Sequence, residues 1–298
     1  NRLEYFIVNH FIDSSPWFLV DFGSTPRREM IEKQGLPPSE LTLSELLSSY
    51  GYATGITGKW HLGYSDELIP NSRGFDYQYG FYEAFSLYAP EDAPGIVEYR
   101  HDYFANKHIW KQRRKGTCAI RRNHREIEEP GYLTFRIAEE AVGFIKRHRE
   151  EPFFLYVPFS APHTPFQAPE EYVNRFTGEP DPNRRVYYGM IAALDDAVGS
   201  IIGEMERLDL MENTIILFSS DNGGASYTGA TENDPLTGGK FSNFEGGLNV
   251  PCMIRGDGTV QPGTVVEDPV ILSDFFMTAA AAAGAPLPSD RVFDGVNL

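Results

Sequence analysis

The sequence predicts an α/β fold with a largely parallel central sheet flanked by helices on both faces. Helical and strand patterns alternate through most of the 298 residues, which is the order that builds parallel βαβ units. Hydrophobic residues make up 41% and aromatic residues 13%, enough to bury a sizeable core and too much for a disordered chain. No internal repeat or Ser/Pro linker divides the chain, so residues 1–298 read as one α/β domain.

The elements follow in order. Thr42 is a predicted N-cap for a helix over Leu43–Tyr50, with Glu45 at the capping-box position and Gly51 as the stop. A short strand over Tyr52–Thr57 comes next. Between Gly131 and Arg149, Leu133, Ile137, Val142 and Ile145 recur at helical spacing, and Pro152 marks the exit into a buried strand over Phe153–Phe159. Tyr187, Met190, Ile191, Leu194, Val198, Ile201, Ile202, Met205 and Leu208 form the clearest amphipathic stripe, in a helix of about 25 residues. Thr214–Ser219 is the next strand, Val250–Arg255 and Val265–Leu272 are weaker strand candidates, and Ser273 or Asp274 caps an Ala-rich helix ending near Gly284.

Charge narrows the function classes. Against 42 Asp and Glu stand 26 Lys and Arg, a net charge of −16, which argues against nucleic-acid binding and attraction to anionic membranes. The longest nearly apolar stretch, Phe275–Ala285, falls short of the roughly 20 residues that span a bilayer, so no membrane insertion is expected. Cys118 and Cys252 are too few for a disulfide framework or a thiolate zinc site. One segment runs against the acidic balance: Lys107, Lys111, Arg113, Arg114, Lys115, Arg121, Arg122 and Arg125 occur with no acid between them. Such a run reads either as a solvated insertion or as a basic lip that steers an anionic polymer.

Candidate chemistry collects at strand ends. In Gly51–Gly63, GYATGITGKWHLG, a strand that stays extended past Gly58 would turn Lys59 and His61 to one face and Trp60 to the other. Phe153–Phe159 runs into Ser160-Ala161-Pro162-His163-Thr164-Pro165, where two prolines exclude a helix around His163. Thr214–Ser219 runs into Ser220-Asp221-Asn222-Gly223-Gly224, whose Asp-Asn pair reads alone as an Asx turn or as hard oxygen donors for a cation. Gly238-Gly239-Lys240 and Glu245-Gly246-Gly247 follow; Phe241 and Asp234 rule out a Walker loop, yet Lys240 can reach a tetrahedral anion. Ligands of open α/β sheets bind beyond the carboxyl ends of the strands. Two lysines, two histidines and an Asp-Asn pair there suit an oxyanion held against a metal while a leaving oxygen is protonated.

These residues resemble the sulfatase family of the alkaline-phosphatase-like superfamily, in its arylsulfatase and N-acetylgalactosamine-6-sulfatase branch. GYATGITGKWHLG looks like the family's second signature, and GLPPSE, GFD, PFFLY, APHTP, ALDD, SDNGG, GGK, EGG and LPSDRVFDG keep the family's order over roughly residues 35 to 298. The resemblance implies a sulfuric ester hydrolase acting on an aryl sulfate or a sugar or polysaccharide sulfate. Its nucleophile is a formylglycine, installed by a formylglycine-generating enzyme and expected upstream of this segment. It further implies that Lys59 and Lys240 bind sulfate, that His61 assists the nucleophile, and that His163 protonates the leaving alcohol. Asp221 and Asn222 match the late ligands of Ca2+, with Mg2+ as an alternative. A periplasmic, secreted or lysosomal setting goes with the family.

Several features depart from the pattern. The family's N-terminal strand with its early Asp-Asp metal ligands reads as missing, the chain reads as truncated at both ends, and the segment alone is expected to be inactive. Ser24-Thr25-Pro26-Arg27-Arg28 only superficially fits the nucleophile motif, because Arg27 takes the small-residue position. Thr237 and Asn249 stand where many relatives have Arg. A phosphoester or phosphonate ester hydrolase of the same superfamily and a non-catalytic sulfatase-like binding fragment are the alternatives; Asn222 weighs against the two-zinc version of the former.

Overall fold

The computed structural model describes residues 5–9, 35–102 and 104–298. In chain order its elements are β1 (Tyr5–Asn9), α1 (Leu43–Ser49), β2 (Ala53–Lys59), β3 (Tyr77–Phe81), β4 (Ile96–Tyr99), α2 (Phe104–Gln112), β5 (Arg121–Arg122), β6 (Arg125–Glu126), α3 (Leu133–His148), β7 (Phe153–Tyr156), β8 (Phe166–Pro169), α4 (Glu170–Val173), α5 (Pro182–Arg207), β9 (Thr214–Ser219), α6 (Glu245–Leu248), β10 (Cys252–Gly256) and α7 (Ser273–Ala283). The main sheet runs β10-β9-β1-β7-β2-β3-β5-β6, and β4 pairs with β8 apart from it. Its five middle strands are parallel, while β10 and the β5–β6 hairpin close the edges antiparallel. Parallel pairing aligns the carboxyl ends of β2, β7 and β9 on one edge.

Both faces are covered, as the alternating pattern predicts. Phe153 and Leu155 of β7 pack with Leu133, Ile137 and Phe144 of α3 and with Met190, Ala193 and Ile201 of α5. Phe154, pointing the other way, joins Leu47 of α1 and Phe275, Ala279 and Ala283 of α7. The buried stripe of α5 is richer in small residues than its apolar periodicity predicts: Gly189, Ala193 and Ala197 are buried and Ile191 is exposed. Small side chains let the helix lie close, and a Cβ on Gly189 would meet Val173 at 3.1 Å.

The predicted capping box at Thr42 is present: Thr42 Oγ1 accepts from the Glu45 N–H at 3.1 Å, and the Thr42 N–H donates to Glu45 Oε2 at 2.7 Å. Glu45 also pairs with Arg73 at 2.9 Å. Arg73 is buried and donates to the carbonyls of Leu36, Pro37 and Glu40, so one guanidinium ties the loop before α1 to the segment leading into β3.

Several expectations are corrected. No element was expected in the first 34 residues, yet β1 lies at the sheet centre between β7 and β9. The strand predicted over Phe153–Phe159 stops at Tyr156, before Pro158, which has no N–H for a ladder. Val265–Leu272 forms no strand; Val265 is 86% exposed and the segment carries no ladder to pair with. Neither Ser273 nor Asp274 caps α7. Leu272 is the cap residue, and the buried Asp274 accepts from the N–H groups of Ile271 and Val296.

The basic segment is neither simply solvated nor wholly a lip. Its hairpin extends the sheet, and acids from elsewhere neutralise much of it: Glu91 meets Arg113, Asp102 meets Lys107, Glu126 meets Arg121 and Glu140 meets Arg122. Arg114 donates to the carbonyls of Leu87, Glu129 and Gly131, and burial pushes its guanidinium down to about 10. Both cysteines are free, Cys118 buried and Cys252 exposed. Among the described residues, no helix is long and apolar enough to cross a membrane.

Candidate active site

Lys59 is the last residue of β2 and is buried at 2% exposure. Its N–H donates to the Pro158 carbonyl at 2.9 Å, joining the ends of β2 and β7. Gly58 makes this approach feasible: at φ +143° it lies so close to Pro158 that a Cβ would sit 2.1 Å from the carbonyl oxygen. The expected strand alternation past Gly58 does not continue. The strand ends at Lys59, and His61 adopts φ +60°, so it is turned by the backbone rather than by the pleat. Trp60 and His61 hydrogen-bond through their N–H groups to Phe81 and Tyr82, and the Trp60 indole is buried, donating to Leu68 O at 2.8 Å.

His163 sits in the turn that follows β7. Its N–H donates to Ser160 O at 2.8 Å, and cis peptides precede both Pro162 and Pro165. The Nδ1 atom lies 2.6 Å from Thr164 O. A carbonyl only accepts, so this contact assigns the proton to Nδ1 and leaves Nε2 as the atom that exchanges a proton with a ligand.

The two glycine-rich segments interlock. Gly223 donates to Gly247 O at 3.0 Å, and Lys240 donates through its N–H to Gly224 O at 3.0 Å. A Cβ on Gly223 would lie 1.7 Å from Gly246 O, and one on Gly239 would lie 2.5 Å from Gly224 O. Only glycine permits this contact, which carries Lys240 to the end of β9 beside Asp221. Asn233 fastens the join: its Oδ1 accepts from Gly224 N at 2.8 Å, and its Nδ2 donates to the carbonyls of Gly224 and Gly238. The motif reading missed Asn233, because nothing local distinguishes it from an ordinary turn asparagine.

Electrostatics shows which groups meet. Burial, then the charges of Lys240 and Lys59, hold His163 well below the ordinary imidazole range, with a smaller contribution from His61. Burial raises the Asp221 carboxyl, opposed by Lys240 and Lys59. Tyr156, which the sequence reading also passed over, is raised by burial and then by Asp221. Lys59, His61, His163, Asp221 and Lys240 therefore share one electrostatic neighbourhood although they span some 180 positions of sequence. Asn222 adjoins it through its N–H, which donates to Asp221 Oδ1 at 2.9 Å.

The donor set suits a hard cation only in part. Asp221 offers a carboxylate; Asn222 turns its Nδ2 to Gly223 O at 2.9 Å, leaving its carbonyl oxygen on the opposite side. Among the described residues, no group of three His, Cys, Asp or Glu is poised to hold a metal. Ser24, the partial nucleophile match, lies outside the described residues.

A largely parallel α/β sheet thus carries two lysines, two histidines and an Asp-Asn pair at or beside its strand ends. The chain belongs to the sulfatase family: it matches the family model Sulfatase over residues 15–285. It is 34% identical over 270 residues to human N-acetylgalactosamine-6-sulfatase, covering 89% of this chain and 48% of the relative. It is 33% identical over 289 residues to an arylsulfatase of Hemicentrotus pulcherrimus, covering 93% of this chain and 49% of the relative. The chain thus spans about half the length of the curated relatives it matches. Among solved structures, Ps i-CgsB in complex with k-i-k-neocarrahexaose superposes with a TM-score of 0.80 at 27% identity, covering 100% of this chain and 75% of that one. PsFucS1 sulfatase from Pseudoalteromonas sp. gives 0.68 at 25%, covering 99% and 62%. The sulfatase resemblance and the alkaline-phosphatase-like fold read from the motifs are borne out.

Proposed function

We propose that the protein to which this chain belongs hydrolyses sulfate esters of a glycan. The observation that carries this reading is the shared field of Lys59, Lys240, His61, His163 and Asp221. The saccharide complexed to a structural neighbour and the N-acetylgalactosamine-6-sulfatase relative favour a sugar ester over a simple aryl sulfate. A setting outside the cytoplasm, whether periplasmic, secreted or lysosomal, accords with such a substrate.

In this reading Lys59 and Lys240 bind the sulfate oxygens, and their charges compensate the negative charge that develops there. His163 is the acid for the leaving alcohol. Burial and the charges of Lys240 and Lys59 favour its neutral form. An arriving sulfate offsets both lysines and favours the imidazolium, so the substrate itself charges the acid that its leaving group needs. The proton then passes from Nε2 to the ester oxygen as the S–O bond breaks, while Nδ1 stays on Thr164 O. His61 moves the proton on the nucleophile's side. Asp221 and Asn222 would hold Ca2+, or Mg2+ in its place, which when bound supplies further charge neutralisation. The formylglycine that the family implies would supply the attacking hydroxyl.

The test is sulfate release by the complete protein, coexpressed with a formylglycine-generating enzyme, across aryl, monosaccharide and oligosaccharide sulfates. Substituting His163→Ala should slow esters of poorly acidic alcohols by about 10²–10⁴-fold and good leaving groups far less. No release across the panel would remove the hydrolytic reading and leave a sulfate-binding fold. Equal loss for all leaving groups would remove His163 as the acid.

A further inference from the structure

Beside the lysine end of the site stands an aromatic surface that the chemistry above does not use. Tyr227 and Phe241 are 52% and 57% exposed, yet their rings lie near-parallel at 12°, with centroids 5.6 Å apart. Phe244, 63% exposed, follows three residues on. Phe241 holds φ +75°, a conformation that bulky side chains rarely adopt. The loop imposes it: the Ser242 N–H donates to Gly239 O and the Gly239 N–H to Ser242 Oγ, both at 3.0 Å. Residues held in such conformations cluster at ligand-binding and active sites.

Charge and shape identify the occupant. Lys240 Nζ lies 5.3 Å from the Phe241 ring centroid. An oxyanion hydrogen-bonded to that ammonium, at about 2.9 Å, brings whatever carries it over or beside the ring. Alongside runs a cleft of about 400 Å³ lined by Ser226, Thr231, Thr237, Asp234 and the ion pair of Arg184 with Glu232. An apolar plane bordered by hydroxyl, carboxylate and guanidinium groups matches a pyranose, which has an apolar ring face and a rim of hydroxyls that both donate and accept.

We propose that Tyr227 and Phe241 form a sugar-stacking subsite, which grips a pyranose ring of a sulfated oligosaccharide whose sulfate is directed to Lys240. This deepens the sulfatase reading and rests on it for the position of the sulfate. The platform selects oligosaccharide over monosaccharide esters, with the cleft taking the flanking residue.

Titration calorimetry on the complete protein tests it, with sulfated hexasaccharides of galactan and glycosaminoglycan backbones and with inorganic sulfate as probes. Wild type should bind a hexasaccharide, and Tyr227→Ala should weaken that binding about tenfold. Phe241→Asn, which tolerates the left-handed backbone, should do the same, while Tyr227→Trp should bind like wild type. Inorganic sulfate should bind all four alike. Undiminished hexasaccharide binding in Tyr227→Ala and Phe241→Asn, equal losses for inorganic sulfate, or no hexasaccharide binding by wild type would each overturn the subsite. Sulfate release measured on the same samples separates the two claims. Binding that depends on Tyr227 without hydrolysis sinks the catalytic reading alone, and hydrolysis with unaltered variant affinity sinks the subsite alone.

Discussion

The backbone N–H of Lys240 donates to the carbonyl of Gly224 over 3.0 Å, and this single bond sets a lysine from a long loop against the end of β9. It exists because Gly223 and Gly239 leave no side chain in the way. Gly223→Ala places a methyl 1.7 Å from Gly246 O, and the segments must separate. The expected result is a loss of about 2–3 kcal/mol in urea unfolding, together with weaker sulfate binding. Wild-type values for both would show that the loops need no such contact.

Lys240 also governs His163. Its charge is the second largest influence lowering that imidazole, after burial. Lys240→Met should therefore raise the His163 pKa, though not to the ordinary value of 6.5, because burial remains. The Asp221 carboxyl, which Lys240 lowers, should rise as well. NMR titration of the imidazole and carboxyl signals reads both, and an unmoved His163 would mean that the two side chains do not share a field.

Arg73 offers a test of the frame beneath the site. At 1% exposure it bonds Glu45 and three carbonyls. Arg73→Met leaves those acceptors without their donor and should cost about 3 kcal/mol in chemical denaturation. Arg73→Lys should recover only part of that, since an ammonium cannot reproduce the guanidinium fork.

Glu129 makes stability depend on acid. Burial alone would raise its carboxyl, but the Gly131 N–H, the Tyr79 hydroxyl and Arg136 together hold it below its ordinary value of 4.5. A depressed carboxyl stabilises the fold above that ordinary value and loses the contribution as pH falls through the folded value. Thermal unfolding of Glu129→Gln should thus lie below wild type at neutral pH and converge with it in acid. A gap that widened in acid would contradict the assignment.

Much of this was legible in the chain. The capping box at Thr42–Glu45, the strand Thr214–Ser219 and the α/β alternation rest on local chemistry, so short windows revealed them. The paired glycines of 223–224, 238–239 and 246–247 are visible as motifs, but not which backbones they bring together. What stayed hidden was nonlocal. Val265–Leu272 has strand composition, but a strand needs a neighbour, and this segment has none within the sheet. The basic run between Lys107 and Arg125 reads as either a solvated insertion or a basic lip, because the acids that neutralise part of it come from elsewhere in the chain.

By itself, the sequence determined the candidate residues for the proposed oxyanion chemistry and the strands whose ends carry them, since periodicity and turn composition act over a few residues. The tertiary structure alone decided that His61 is turned by a left-handed backbone conformation, that Lys240 arrives by a glycine contact with Gly224, and that His163 lies in the field of the buried Lys59 and the half-buried Lys240. Burial and Coulomb interaction depend on distances through space, and parallel pairing of β2, β7 and β9 is what makes those distances short.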